Sequence, residues 1–113
     1  MAAILAASTL AGDKVKNPQG EDLGKVEELM IDLQSGRVAY AVISFGAGFM
    51  HSGKLFAIPW ASLDVDQKDK QFILNVTPEM LETAEGFDKD RWPDMADPAF
   101  LERTYAHYGI KPW

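Results

Sequence analysis

The chain has 113 residues, 47% hydrophobic, 11% aromatic and 25% charged, a balance that supports one domain with a buried core and excludes wholesale disorder. Seventeen acidic residues against eleven basic ones leave a net charge of −6, a field that repels phosphate backbones and anionic lipid surfaces, so neither nucleic-acid binding nor membrane insertion is expected. There is no cysteine, which excludes disulfides, thiolate nucleophiles and cysteine metal sites together and fits a reducing compartment.

No basic residue precedes the apolar stretch at the N-terminus, as one would in a secretory signal. The longest later uncharged apolar run, Val38 to Met50, falls short of the roughly 20 residues a membrane-spanning helix needs. The expected location is therefore cytoplasmic and unanchored.

From Asp13 to Val76 the signals are strands and turns. "NPQG" at 17–20 has the residues of a turn. The segment "LGKVEELMIDLQSGRVAYAVISF" predicts two long strands around "QSGR", with Leu29, Ile31 and Leu33 alternating on one side and Gly36 supplying the positive φ of the loop. In the second of these strands Val38, Tyr40 and Val42 face one way, and Ala39, Ala41, Ile43 and Phe45 the other. Both faces are apolar, so both must be covered, which in so short a chain suggests a small closed barrel with something packed outside it.

A glycine-rich loop at 45–53 leads to "KLFAIPWASL", where Pro59 has no amide to give a ladder and marks a corner, with Trp60 turning inward beyond it. A hairpin from "SLDVD" to "QFILNV" follows, turning at "QKDK". The total is about six strands in all, with the spacing of an all-β barrel or sandwich.

The period then changes. Thr77 is placed to cap a helix that begins at Pro78 and closes at Gly86, and Asp97 to cap a second that begins at Pro98 and ends before Gly109. Between them lies an acidic link, "FDKDRWPDM". On the second helix Leu101, Tyr105 and Tyr108 form an apolar stripe.

Several of these segments carry a resemblance. "Ile58-Pro59-Trp60-Ala61-Ser62-Leu63" resembles the Ile/Val-Pro-Trp-x-x-Leu signature of PRC-barrel domains, and "Gly20-Glu21-Asp22-Leu23-Gly24-Lys25-Val26", "Met30-Ile31-Asp32" and "Gly36-Arg37-Val38-Ala39-Tyr40" are similar to that family's opening strands. The fold signature it implies is Gly24, Asp32, Gly36, Tyr40, Pro59, Trp60 and Leu63. The resemblance implies a mainly β fold, a small closed PRC-type β-barrel of about six strands over residues 9–86, with C-terminal helices in an appendage over 87–113. Domains of this kind include the cytoplasmic part of the photosynthetic reaction centre H subunit and the C-terminal half of a ribosomal small-subunit maturation factor, so the implied role is holding protein partners rather than catalysis.

Motifs that carry chemistry are weak. "Gly48-Phe49-Met50-His51-Ser52-Gly53-Lys54" has the glycine and lysine spacing of a phosphate loop, but Leu55 stands where a hydroxyl is needed and a strand follows where a helix should. Gly48, His51, Gly53 and Lys54 are thus an alternative ligand loop within Gly46–Lys54. "Asp64-Val65-Asp66-Gln67-Lys68-Asp69" imitates a calcium loop but lacks its glycine and its final glutamate. His51 and His107 are the two histidines, with no spacing that suggests zinc, and no serine sits in a G-x-S-x-G turn. Glu21, Asp22, Glu27, Glu28 and Asp32 read as a solvated acidic edge. No cofactor, metal or catalytic residue is expected.

The aromatic tail needs cover. Trp92, Phe100, Leu101, Tyr105, Tyr108 and Trp113 dock either on their own barrel or on a partner, and they form the candidate interaction surface. The expected function is a non-enzymatic protein-interaction module that self-associates as a twofold homodimer, the commonest symmetry. The alternative is a small-ligand or phosphate binder using the glycine loop.

Overall fold

In a computed structural model, residues 4–45, 54–88 and 90–110 are described. A short helix α1 (Ala7–Leu10) precedes six strands, β1 (Lys14–Lys16), β2 (Asp22–Asp32), β3 (Arg37–Ser44), β4 (Lys54–Pro59), β5 (Leu63–Asp66) and β6 (Gln71–Leu74). Helix α2 (Pro78–Glu82), a seventh strand β7 (Gly86–Asp88) and helix α3 (Pro98–His107) follow. The strands form one sheet in the order β5-β6-β1-β2-β3-β4-β7, antiparallel throughout except for the β1–β6 pair.

Turn chemistry sets the hairpins. Gly36 has φ of 75°, and its amide donates to the Asp32 carbonyl at 2.8 Å. The Asp32 carboxylate accepts from the Gln34 amide and the Ser35 hydroxyl, closing the β2–β3 turn. Asn17 is the buried staple of the β1–β2 turn: its carbonyl oxygen accepts from the amides of Gln19 and Glu21, and its Nδ2 donates to Glu21 Oε1 and to the Val76 carbonyl. The sequence marks it only as a turn residue, yet it ties that turn to the segment after β6.

Both faces of β3 are covered. Ala41 and Ile43 join Val15, Leu23, Val26, Phe56, Ile58, Leu63, Phe72, Leu74 and Leu81 in an inner core to which β1–β6 all contribute. Because β5 stands at one end of the sheet and β4 near the other, a shared core requires the sheet to coil strongly about it. Tyr40 and Val42 point the other way, into a second cluster with Leu55, Ala57, Phe87, Phe100 and Tyr105. Helix α3 is what covers the outside.

The closed barrel of about six strands is corrected to an open sheet of seven. Among the described residues no ladder joins β5 to β7. The chain leaves β4 at Pro59 through a single turn of 3₁₀ helix, Trp60–Ser62, which leads directly into β5. The Trp60 ring turns inward against the inner core, edge-on to Phe72 at 5.8 Å between centroids, and the residue remains partly exposed. Leu63 is buried at the start of β5.

Two further expectations change. Gly86 opens β7 on the outer edge of β4 instead of closing a helix, and α2 is correspondingly short. Leu29 packs on the inner core, but Ile31 is 46% and Leu33 91% exposed, so the three do not form one buried stripe. Leu33 lies beyond the end of β2, and the ladder is irregular at Ile31: Met30 pairs with Tyr40 but Ile31 with Val38, which leaves Ala39 of β3 as an extra residue. Among the described residues no helix is long and apolar enough to cross a membrane.

Candidate functional site

The exposed end of the β2–β3 hairpin forms one wall of a groove of about 570 Å³. Met30, Ile31, Asp32, Leu33 and Gln34 come from the hairpin, Ala39 and Tyr40 from β3, Met95 and Ala96 from the link before α3, and Leu101 from α3 itself. The hairpin is held by the Asp32 turn, and the link is held by Asp94, whose carboxylate accepts from the Ala96 amide at 3.0 Å. Asp97 caps α3 by accepting from the Ala99 amide. The site is therefore an apolar trough between two locally fixed turns, with Asp32 on the hairpin wall.

Tyr40 belongs to the wall nearest the outer core. It is 1% exposed and meets Phe100 and Tyr105 edge-on at 6.0 and 5.6 Å. Its hydroxyl is buried with no hydrogen-bond partner among the described residues, and burial raises its pKa above the ordinary phenol value. The Tyr105 hydroxyl, by contrast, donates to the Ala39 carbonyl at 3.0 Å, and burial pushes its pKa up to about 12.

The expected tail stripe packs on the two cores and is widened by Phe100 and Thr104. Phe100, Thr104 and Tyr105 are the buried positions of α3, packed on β3 and β4, whereas Leu101 is half-buried at the groove. Phe100 and Tyr105 are thereby removed from the expected interaction surface, since their own sheet covers them. Tyr108 packs against the inner core, with its hydroxyl buried and without a partner among the described residues and its pKa raised by burial. Trp92 is 40% exposed and stacks obliquely on Phe87 at 5.2 Å. Trp113 lies outside the described residues.

Of the expected fold signature, Gly24 has φ of 117°, and a Cβ there would fall on the Ser44 carbonyl, so β2 and β3 approach in a way only glycine permits. Pro59 is fully buried opposite Tyr40, at the end of β4. Of the alternative ligand loop, Gly48, His51 and Gly53 lie outside the described residues. Lys54 pairs with Asp88 across β4 and β7 at 3.6 Å.

The other chemical candidates are local structure. Asp66 caps the β5–β6 turn by accepting from the amides of Asp69 and Lys68 and from the Gln71 side chain, bonds that hold its carboxyl below the usual range. Glu27 accepts from the Ser44 hydroxyl. The His107 ring lies 3.2 Å from the Met80 carbonyl through Nε2, beside a smaller cavity of about 210 Å³ whose Arg103 is forked onto Glu85. Among the described residues no group of three or more His, Asp or Glu side chains is arranged to hold a metal.

Sequence reasoning missed Ile31, Leu33, Met30 and Met95 as site residues. The one available signal was Leu33, an apolar residue directly before a polar turn, where no core can reach it. No curated protein matches the chain. A PRC-barrel domain family model matches residues 4–81. That match spans the sheet from α1 through β6 and into α2, including the Pro59–Trp60 corner and the Gly24 contact, and on it the chain belongs to the PRC-barrel domain family.

Proposed function

We propose that this PRC-barrel chain is a non-enzymatic docking module, which holds a protein partner in the groove at the end of the β2–β3 hairpin. The observation that carries this reading is the exposure of Ile31 and Leu33 beside Met30, Met95 and Leu101. A strand end turned out of the core leaves large apolar side chains contiguous in water, the arrangement that marks interaction surfaces. Methionine walls suit such a role, because an unbranched thioether repacks around different shapes. PRC-barrel domains are in general non-catalytic modules, which agrees. With its acidic balance and lack of cysteine the module suits a reducing, cytoplasmic setting and a protein partner in preference to nucleic acid.

The test is site-resolved photocrosslinking in the native cell, with a benzophenone amino acid at position 33 and, as control, at position 64 on β5. A discrete adduct from position 33 and not from position 64 is expected; an adduct at twice the chain's mass identifies a homodimer. Equal smears from both positions, or no adduct from 33, refute the reading.

A further inference from the structure

We propose that helix α3 is a strap that opens as a unit while the sheet beneath it stays folded. The chain builds two cores, and they differ in what they need. The inner one draws on β1–β6 and on Leu81 of α2, and no residue of Pro98–His107 belongs to it. Helix α3 completes only the outer cluster, through Phe100 and Tyr105. Losing α3 therefore costs the outer cluster alone, whereas losing any one of β1–β6 breaks into the inner core. Elements that open below the global unfolding free energy are of the first kind.

The seat of α3 is also imperfect. The Tyr40 ring meets Phe100 and Tyr105 of α3, yet its hydroxyl is buried with no partner among the described residues. Opening returns that hydroxyl to water and removes its desolvation cost. Tyr108, just past the helix, carries the same defect where it packs on the inner core. Helix α3 further walls two cavities, the groove of about 570 Å³ through Leu101 and the smaller one of about 210 Å³ through Arg103, Thr104 and His107. Atoms that line a void lack neighbours on one side and forgo those contacts. Of its polar ties, the Arg103 fork onto Glu85 is more than half exposed at both ends, and such pairs contribute little. The segment before α3 is pinned by bonds between near neighbours, from the Arg91 amide to the Asp88 carbonyl and from the Ala96 amide to Asp94, which suits a hinge.

Opening has a consequence for the groove. Leu101 of α3 and the Met95–Ala96 pair form one of its walls, so the groove is present only while the strap is seated. A partner held there shifts α3 towards the seated state, because it binds that state alone. This consequence rests on the docking reading above; the opening itself does not.

The experiment exploits the absence of cysteine. Ala41 and Val42 are adjacent on β3 and both 0% exposed, but Ala41 lies in the inner core and Val42 in the outer cluster. Full-length Ala41→Cys and Val42→Cys chains are labelled with a thiol reagent in native buffer and at low urea concentrations. The thiol at position 42 is expected to react at least about a hundredfold faster than the one at 41, with a shallow urea dependence because opening exposes little surface. Equal rates with the same steep urea dependence would mean that α3 leaves only when the sheet unfolds, and would overturn the proposal. Should either substitution prevent folding, hydrogen exchange of the unaltered chain gives the answer. Amides of α3 exchanging ahead of the β2–β3 ladder support the strap, and amides of both exchanging together refute it. These measurements involve no partner, so failure of the strap is distinguishable from failure of the docking reading, which the crosslinking at position 33 tests.

Discussion

Two tyrosines in one cluster, with ring centroids 5.6 Å apart, should respond to the same substitution with opposite signs. Tyr40→Phe removes a hydroxyl that is buried and has no partner, so the desolvation cost of about 1–3 kcal/mol disappears and little is lost but the contacts of one oxygen. The expected change is a stabilisation of about 1 kcal/mol. Tyr105→Phe deletes the bond to the Ala39 carbonyl and leaves that acceptor unmet, a loss of about 1 kcal/mol or somewhat more. The two variants should thus differ by about 2 kcal/mol, or about 8 °C in Tm for a domain of this size. Urea titrations with unchanged m-values would measure the split directly. If Tyr40→Phe destabilises as much as Tyr105→Phe, its hydroxyl has a partner and the packing described here is wrong at the centre of the outer core.

Other outcomes follow from the same geometry. Gly24→Ala should cost about 3 kcal/mol or more, because φ of 117° is strained for alanine and its Cβ would meet the Ser44 carbonyl; a variant that melts with the parent contradicts the close β2–β3 approach. Leu33→Ser should leave Tm unchanged, since the side chain lies almost wholly in water, and a large loss in calorimetry would show it to be core. All three tyrosines, at 40, 105 and 108, have folded-state pKa values raised by burial. Folding then retains protons that the unfolded chain releases near pH 10, so stability is full below that pH and falls as pH rises from about 10 towards 12. Tyrosinate absorbance should therefore appear together with unfolding; a smooth native titration centred near pH 10 would count against the burial.

The β2–β3 and β5–β6 hairpins were legible because their turns are written in turn-forming residues, such as Gly36 at positive φ. The two-sided cover of β3 was legible from its unbroken run of apolar residues. What could not be read was closure. Whether β4 meets β5 depends on how one turn of backbone after Pro59 is directed, and the same Pro-Trp pair serves an inward corner of a cylinder or the 3₁₀ turn seen here. β7 was hidden because three residues, Gly86–Asp88, give too short a period to distinguish from a link. The groove was hidden for a related reason: alternation at Leu29, Ile31 and Leu33 predicts one face only while the strand continues, and β2 ends at Asp32, before Leu33. For the tail, the stripe was legible, since Leu101 and Tyr105 pack on the outer cluster and Tyr108 on the inner one; what it left out is that Phe100 and Thr104 are buried as well.

A docking module keeps its hairpin end covered by a partner in its own cell. Hydroxyl-radical footprinting, comparing purified protein with protein in intact native cells, measures that side chain by side chain. Met30, Leu33 and Met95 should lose reactivity in cells while Val65 on β5 and the half-buried Met80 keep theirs. Equal oxidation of Met30, Leu33 and Met95 in both settings would mean that nothing occupies the groove.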